Sequence, residues 1–347
     1  MISHKTGCTV IKNARRRMNL MVVTSAWIGA SFAASSALAQ NPASGEADSY
    51  PTKPIRFVAP SSPGGGLDWM TRMFGAKMTE NWGVQVVIDN RAGAGGIIGS
   101  DIVAKASPDG HTLLMVAGGH ALNPFVYTKL PYDTLKDFER VSLVACAPNV
   151  LLVHPSVPVN SVRELIALAK AKPNQLNHAS AGVGTTSYLQ ALLLKHLAGV
   201  KMVHVPYKGA GAASAALLAG EVQLSFTNPN FAITQVKAGR LRALGVTSPR
   251  RLAVIRDVPT IAEAGVPGYD VNNCYGLLVP AKTPKPIVSK LNAEILRILR
   301  LPEIQAQMER QGYEVIGGTP QEFTAFVKAE MAKWPKVLRE AGFKPQG

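Results

Sequence analysis

Residues 59–68 read Ala-Pro-Ser-Ser-Pro-Gly-Gly-Gly-Leu-Asp, and this stretch decides the fold of the chain. The apolar residues 55–58 before it predict a strand, and residues 69–74 after it predict the start of a helix. A turn between a strand and a helix leaves backbone N–H groups unpaired at the positive end of the helix. Glycine lets a ligand approach the backbone closely, and Ser61 and Ser62 add hydroxyl donors. The stretch therefore predicts an anion site.

A second turn of the same kind lies far along the chain. Residues 180–187 read Ser-Ala-Gly-Val-Gly-Thr-Thr-Ser and precede a helix predicted over residues 188–197, with leucines at helical spacing. Taken alone, either turn would be interpreted as a plain connection between a strand and a helix. Two such turns favour a single anion held between two parts of the chain.

The first 39 residues predict an export signal that is removed. A basic leader precedes the mostly apolar residues 18–34, and Ala37-Leu38-Ala39 supplies the small residues that a signal peptidase requires. We expect cleavage after Ala39 and a soluble protein in the periplasm. A transmembrane anchor is disfavoured because the apolar run is short and no basic stop-transfer residues follow it. The pair Arg16-Arg17 leaves general secretion and twin-arginine export open as alternatives.

The chain stays basic without this leader. Its formal charge of +15 falls to +10 when the five basic residues of the leader are removed. A basic surface can bind nucleic acid, or it can steer small anions toward a site. The basic residues are scattered singly, with no Arg-rich helix and no aromatic platform, so the sequence predicts no nucleic-acid partner.

The sequence predicts no metal and no cofactor. Its histidines stand alone, and no cluster of Cys, His, Asp or Glu has metal-ligand spacing. Gly93 and Gly95 would need a third glycine at position 98 to complete a dinucleotide fingerprint, and Ile98 stands there. We interpret this turn as another helix start facing the same cleft, with nucleotide binding as the minor alternative. Cys146 and Cys274 are expected to be two buried thiols, although an oxidising compartment would permit a disulfide.

Strand and helix patterns alternate along the rest of the chain, which predicts parallel sheets with crossover helices. About 310 residues are enough for two domains. The apolar residues 141–153 are interrupted at Pro148 and Asn149, and we interpret them as one strand that leaves the first domain and another that enters the second. Residues 274–279 return the chain, and helices within residues 287–340 end it on the first domain. We predict an α/β fold with domain 1 over residues 40–147 and 276–347 and domain 2 over residues 148–275.

In their order and spacing, these motifs resemble the extracytoplasmic solute receptors of the tripartite tricarboxylate transporter class, often called the Bug family. The resemblance covers essentially the whole chain after the leader, although each motif is weak by itself. The matching segments are residues 50–55, 63–68, 90–96, 108–110, 121–124, 130–133, 182–186, 205–209, 257–260, 263–265 and 317–322.

That resemblance implies the type II periplasmic-binding-protein fold, in which two α/β domains are joined by two crossing strands and hold the ligand in the cleft between them. It implies a small carboxylate ligand, a transmembrane permease as partner, and no catalysis; a monomer is the default for this architecture. The carboxylate-binding residues that it implies are Ser61, Gly64, Gly65 and Asp68 from one domain and Gly182, Gly184, Thr185 and Thr186 from the other. Among these, Asp68 is expected to cap the turn or hold water, because two carboxylates repel each other.

Three further residues, His120, Thr227 and Asn228, are expected at the far end of the ligand. For His120, a loop histidine with a purely structural hydrogen bond is an equal alternative. The sequence departs from the resemblance at Tyr188, near Thr227 and at Cys274, where family members often have a histidine, an acidic residue and an aromatic residue. We expect these positions to border the far end of the ligand, where the loss of an acidic residue suits a more anionic or an uncharged group.

Two other functions stay open at this point. A binding protein of this kind could report its occupancy to a signalling partner instead of a transporter. A secreted hydrolase is disfavoured, because no Gly-x-Ser-x-Gly elbow frames a serine and no histidine is positioned by motif to activate one.

Overall fold

A computed structural model describes residues 49–346 of the chain. The predicted export signal, its cleavage after Ala39 and most of the lead-in that follows lie outside these residues. Within the described part, the structure contains no helix that is long and apolar enough to cross a membrane.

Strands and helices alternate over the described residues. The strands are β1 (Ile55–Ala59), β2 (Val86–Asn90), β3 (Thr112–Ala117), β4 (Phe138–Pro148), β5 (Val150–Val153), β6 (Asn177–Ser180), β7 (Val203–Pro206), β8 (Leu224–Thr227), β9 (Arg242–Val246), β10 (Asn272–Pro280) and β11 (Glu314–Val315). The α-helices are α1 (Gly66–Trp82), α2 (Ile97–Ala104), α3 (Asn123–Val126), α4 (Val162–Ala171), α5 (Thr186–Ala198), α6 (Ala210–Leu218), α7 (Pro229–Lys237), α8 (Lys285–Leu299), α9 (Pro302–Arg310) and α10 (Pro320–Glu340).

The first sheet has six strands in the order β11-β4-β10-β3-β1-β2. Its strand β1 pairs in parallel with β2 and β3, whereas β10 runs antiparallel to β3 and β4. Successive residues of β1 point to opposite faces, so Phe57 packs with Phe74 of α1 and Leu291 of α8, while Val58 packs with Val103 of α2. Helices therefore cover both faces, as the alternating pattern predicts.

The second sheet has five strands in the order β7-β6-β8-β5-β9. Strand β6 pairs in parallel with β7 and β8, whereas β5 runs antiparallel to β8 and β9. Leu151 of β5 packs with Leu189 of α5 on one face, and its neighbour Leu152 packs with Leu217 of α6 on the other. The two sheets with their helices confirm the predicted α/β fold class.

The chain passes between the two sheets twice. Asn149 separates β4 of the first sheet from β5 of the second, and the segment after β9 leads back to β10. Strands β4 and β10 are antiparallel neighbours that place Cys146 opposite Cys274, and these two residues form a disulfide. The expectation of two separate thiols is therefore wrong. The register that brings the cysteines together joins strands 128 residues apart, and no local pattern specifies it.

The last helix, α10, contributes to two apolar clusters. Phe323 and Val327 near its start join the apolar cluster that contains Val58, whereas Trp334 and Leu338 near its end join the cluster that contains Leu189. The assignment of the last helices to the first domain stays a prediction. Its amphipathic pattern shows that one face is buried, but it does not show against which sheet.

Candidate functional site

A cavity lies where the carboxyl ends of the parallel strands of both sheets face each other. It holds about 880 Å³ of space between atoms, its open mouth included. This is the position at which open α/β sheets usually bind ligands. Its walls come from the segments after β1, β2, β3, β6, β7 and β8 and from both crossings between the sheets. The residues on these walls include Ser61, Gly66, Ser100, Gly119, His120, Asn123, Asn149, Thr185, Thr186, Ser187, Ala210, Thr227, Asn228, Asn273 and Tyr275.

The cavity is positive although its wall carries no formal charge. Among the described residues, those that line it include no lysine, arginine, aspartate or glutamate. The helices α1, α5 and α6 each begin at its wall, with Gly66, Thr186 and Ala210 as their first residues. The first N–H groups of a helix have no partner within the helix, and the helix dipole adds positive potential there. The arrangement can therefore bind an anion through backbone groups.

In the first glycine-rich turn, Asp68 holds the backbone in place. Its carboxylate accepts hydrogen bonds from Gly64 N–H at 3.0 Å, Asn90 Nδ2 at 2.9 Å and Arg72 Nε at 3.0 Å. Burial acts to raise the pKa of Asp68, but these bonds outweigh it and lower the pKa below its usual value. Asp68 thus stays ionised and caps the turn, and the N–H of Gly64 is already used.

Two glycines implied as ligand contacts in that turn lie off the cavity wall, as does Asp68, which was expected to cap it. Ser61 lines the cavity together with Gly66, whereas Gly64, Gly65 and Asp68 do not. Gly64 has a φ of 86°, so it supplies the left-handed conformation that the turn requires. The turn directs Gly66, the first residue of α1, toward the cavity, and not the two glycines before it.

The second turn divides in the same way. Thr185, Thr186 and Ser187 line the cavity, whereas Gly182 and Gly184 do not. Both glycines have positive φ, 121° and 79°, and Thr185 Oγ1 donates to the carbonyl oxygen of Gly182 at 2.6 Å. The glycines shape the turn, and the residues that follow them begin α5 at the cavity wall.

The two turns meet residues of the opposite sheet across the cavity. Ala210 N–H, at the start of α6, donates to Ser61 Oγ at 3.4 Å. Thr186 Oγ1 donates to Asn273 Oδ1 at 2.9 Å, on the crossing strand β10. We call each sheet with its helices a lobe. The structure therefore shows the two lobes in contact around the cavity, with residues from both in position to touch one ligand.

His120 lines the cavity as a neutral side chain. Its ring stacks on Tyr132 with centroids 5.7 Å apart, and Nδ1 lies 3.4 Å from Ser100 Oγ. Burial, with a smaller contribution from the nearby Arg140, lowers the pKa of His120 to about 3. The ring therefore cannot act as a cation toward an anion at neutral pH. Its Nε2 is buried without a hydrogen-bond partner in the structure.

The other two residues expected at the far end also line the cavity. Asn228 caps helix α7, since its Oδ1 accepts a hydrogen bond from Phe231 N–H at 3.2 Å. Thr227 ends β8, and its Oγ1 is buried without a partner. Neither Tyr188 nor Cys274 reaches the cavity wall, because Tyr188 packs against His204 and Cys274 is in the disulfide. The expectation that those two positions border the ligand is wrong.

Sequence reasoning missed several polar residues on the cavity wall, and Asn149, Asn273 and Tyr275 are three of them. All three lie on the two crossings between the sheets. Asn273 Nδ2 donates to Tyr275 Oη at 2.9 Å, and the Oδ1 of Asn273 holds Thr186. The interruption at Pro148 and Asn149 in an otherwise apolar run was the available signal, since a polar residue there needs a polar partner.

Comparison with known proteins decides the family. Residues 70–343 match the sequence model of the family TctC, the tripartite tricarboxylate transporter family receptor. The chain belongs to this receptor family. The resemblance inferred from the sequence motifs is therefore confirmed. The matched part contains the second turn, most of both sheets and the last helix.

Relatives of the receptor agree along nearly the whole chain. The chain is 39% identical over 338 residues to a UPF0065 protein from the tcbD-tcbE intergenic region of Pseudomonas sp. strain P51. The aligned residues cover 97% of this chain and 98% of that relative. The chain is also similar to the periplasmic binding protein BugD, with 32% identity and a TM-score of 0.83 over 86% of this chain and all of that one.

Two solved structures of similar proteins contain a ligand. Rpa4515 from R. palustris, described with adipate, has 36% identity and a TM-score of 0.83, covering 85% of this chain and 99% of its own. MatC from Rhodopseudomonas palustris, described with bound malate, has 33% identity and a TM-score of 0.80, covering 83% of this chain and all of its own. The receptor thus has the fold of periplasmic binding proteins.

Proposed function

We propose that this receptor captures a small carboxylate in the periplasm and delivers it, unchanged, to a membrane permease of a tripartite tricarboxylate transporter. One observation carries the proposal. Three helices, α1 from one lobe and α5 and α6 from the other, begin at a single cavity whose described lining residues carry no formal charge. Such a site binds a carboxylate through backbone N–H groups and hydroxyls.

The similar proteins support the ligand class. Rpa4515 is described with adipate and MatC with malate, and both are small carboxylates. The identities of 36% and 33% support transfer of this class to the receptor without specifying which acid it binds. We propose Ser61, Thr185 and Thr186 as hydroxyl contacts, the two threonine O–H groups turning to the ligand from Gly182 and Asn273. The N–H groups at the starts of α1 and α5 are the main donors.

Export and assembly follow from the same function. We propose that the chain is cleaved after Ala39 and works as a monomer that closes on its ligand. A ligand that touches both lobes stabilises the closed state, because the open state cannot make both sets of contacts at once. The permease would then recognise the closed receptor. We propose no catalytic step, since binding and release account for the neutral, backbone-lined cavity.

A thermal-shift screen of the mature protein tests this function. The panel holds adipate, L-malate, succinate, amino acids and aromatic acids, with the methyl ester of each acid as its matched control. At about 100 times its dissociation constant, a ligand adds about 2.7 kcal/mol of stability, which is about 4 °C for roughly 300 residues. We expect at least one acid to raise the melting temperature and its ester to have no effect.

The paired substitution Thr185→Val and Thr186→Val tests whether the second turn belongs to the site. It removes two hydroxyls from the wall and keeps the side-chain shapes. We expect the thermal shift to disappear, and the melting temperature without ligand to fall by a few degrees, because the hydrogen bonds to Gly182 and Asn273 are lost as well. An unchanged response would exclude that turn from the site, and an acid panel without any response would exclude the carboxylate receptor itself.

A further inference from the structure

We infer that Asn149 selects, among small carboxylates, those that carry an uncharged hydrogen-bond donor such as a hydroxyl group. This inference rests on the proposed function and narrows the ligand class of the same site. It comes from a buried hydrogen-bond network at the crossing between the sheets, made of Asn149, Gln190, Thr247 and Val271. Within that network one side-chain acceptor has no partner, the Oδ1 of Asn149.

The network fixes which atom of Asn149 is left over. Gln190 Nε2 donates to the carbonyl oxygen of Val271 at 3.1 Å, and that oxygen can only accept. The amide of Gln190 must therefore turn its Oε1 the other way, where it accepts from Asn149 Nδ2 at 2.8 Å. Because the nitrogen of Asn149 is used in this bond, its oxygen is the atom that remains for a ligand.

The backbone holds Asn149 as firmly as its side chain does. Asn149 N–H donates to Thr247 Oγ1 at 2.8 Å, and Thr247 N–H donates back to the carbonyl oxygen of Asn149 at 3.0 Å. Asn149 is 4% exposed, and Gln190 and Thr247 are fully buried. The acceptor is thus preorganised, and a buried acceptor without a partner destabilises the unliganded protein.

A second unpaired group lies close to Asn149 in the sheet. Thr227 pairs with Val150, the residue that follows Asn149, and its Oγ1 is also buried without a partner. Asn149 and Thr227 both line the cavity. Together they present one acceptor and one hydroxyl, which can donate or accept. A ligand hydroxyl can donate to Asn149, whereas the hydroxyl of Thr227 can pair with another polar group of the ligand.

Charged groups fit this part of the cavity poorly. An ammonium group would be buried without a carboxylate partner, because the described lining residues include none. A second carboxylate directed at Asn149 would place two acceptors against each other. An apolar group would leave the Oδ1 of Asn149 unpaired. A neutral donor is the group that satisfies the network.

The test compares acids that differ by one hydroxyl in calorimetric titrations of the wild-type receptor. The pairs are L-malate and succinate, 3-hydroxyadipate and adipate, 3-hydroxybutyrate and butyrate, and 4-hydroxybenzoate and benzoate. Leaving a buried acceptor unpaired costs the equivalent of about a 10-fold loss of affinity. We expect the hydroxylated member of at least one pair to bind about 10-fold more tightly than its partner.

The substitution Asn149→Ala removes the acceptor, and we expect it to bring the two affinities of that pair within about 3-fold of each other. The affinity for the acid without the hydroxyl should stay near the wild-type value, which also shows that the variant is folded. Asn160→Ala, at an exposed residue away from the cavity, is the matched control and should preserve the preference for the hydroxylated acid.

The outcomes separate this inference from the proposed function. Acids that bind equally well with and without the hydroxyl would overturn the inference, because a water molecule would then satisfy Asn149, and the carboxylate receptor would stand. A preference that survives Asn149→Ala would also overturn it. If no acid in the panel binds, both the inference and the proposed function fall.

Discussion

Gly119→Ala should block closure of the receptor without disturbing either lobe. Gly119 follows β3 of the first sheet, and a methyl group built on it would lie 2.5 Å from the carbonyl oxygen of Gly184 and 3.0 Å from the Cα of Thr185, both in the second-sheet turn. Ordinary contacts of this kind are at least 3.4 Å long. Because both neighbours are backbone atoms, the turn must retreat by about 0.9 Å before alanine fits.

The cost of that retreat falls on ligand binding. A hydrogen bond of 2.9 Å that lengthens by about 0.9 Å is no longer a hydrogen bond. One bond to a carboxylate is worth about 1.5–3 kcal/mol, so losing it should weaken binding by about 10- to 150-fold. Gly119 does not have a positive φ, so alanine itself causes no backbone strain, and the melting temperature without ligand should stay the same or rise slightly.

Calorimetric titration with the acid found in the thermal-shift screen measures the loss. Gly318→Ala is the matched control, because a methyl group there would meet its nearest atoms at 3.5–3.6 Å, and it should bind like the wild type. Small-angle scattering with saturating ligand should show a more open particle for Gly119→Ala alone. A dissociation constant for Gly119→Ala within about 2-fold of the wild type would refute the argument that these two turns close on the ligand.

Two further predictions concern stability. Replacing Cys146 and Cys274 by alanine should lower the free energy of unfolding by up to about 5 kcal/mol for a span of 128 residues, and urea titration checks this; a midpoint unchanged from that of the oxidised wild type would contradict it. Burial, followed by the nearby His204 and Lys195, lowers the pKa of His178 to about 3. As the pH drops from 6.5 toward 4, His178 therefore takes up its proton in the unfolded chain and not in the folded protein. We expect this one residue to lower the free energy of unfolding by about 1.4 kcal/mol per pH unit. The variant His178→Gln should lose this part of the slope, and equal slopes in both proteins would show that His178 does not contribute.

The sequence predicts those parts of the site that are local in the chain. The stretch around Ser61 predicts a strand, a turn and a helix start because each step depends on neighbouring residues, and the structure has all three. Helix α7 also has a local signal, because Asn228-Pro229 is a typical cap followed by proline at the first helical position.

The missing parts depend on contacts between distant residues. The sequence indicates that Asp68 caps the turn, but that the cap takes the N–H of Gly64 is decided only once the turn has formed. The disulfide depends on the register of β4 against β10. The importance of Asn149 depends on Gln190, which lies 41 residues away. Local patterns predicted which turns face the cavity, but not which atoms in them remain free.

The contacts across the cavity explain why the ligand can control closure. The bonds that join Ser61 to Ala210 and Ser62 to Ala212 are 3.4 and 3.3 Å long, at the weak end of the range for hydrogen bonds. Glycines at the seam bring the lobes close without adding side chains that would hold them together. The cavity wall also keeps the buried Nε2 of His120 and the Oδ1 of Asn149 unpaired. Since the closed protein without ligand leaves these polar atoms unsatisfied, a ligand that pairs them adds free energy that favours the closed state, and its departure removes that contribution.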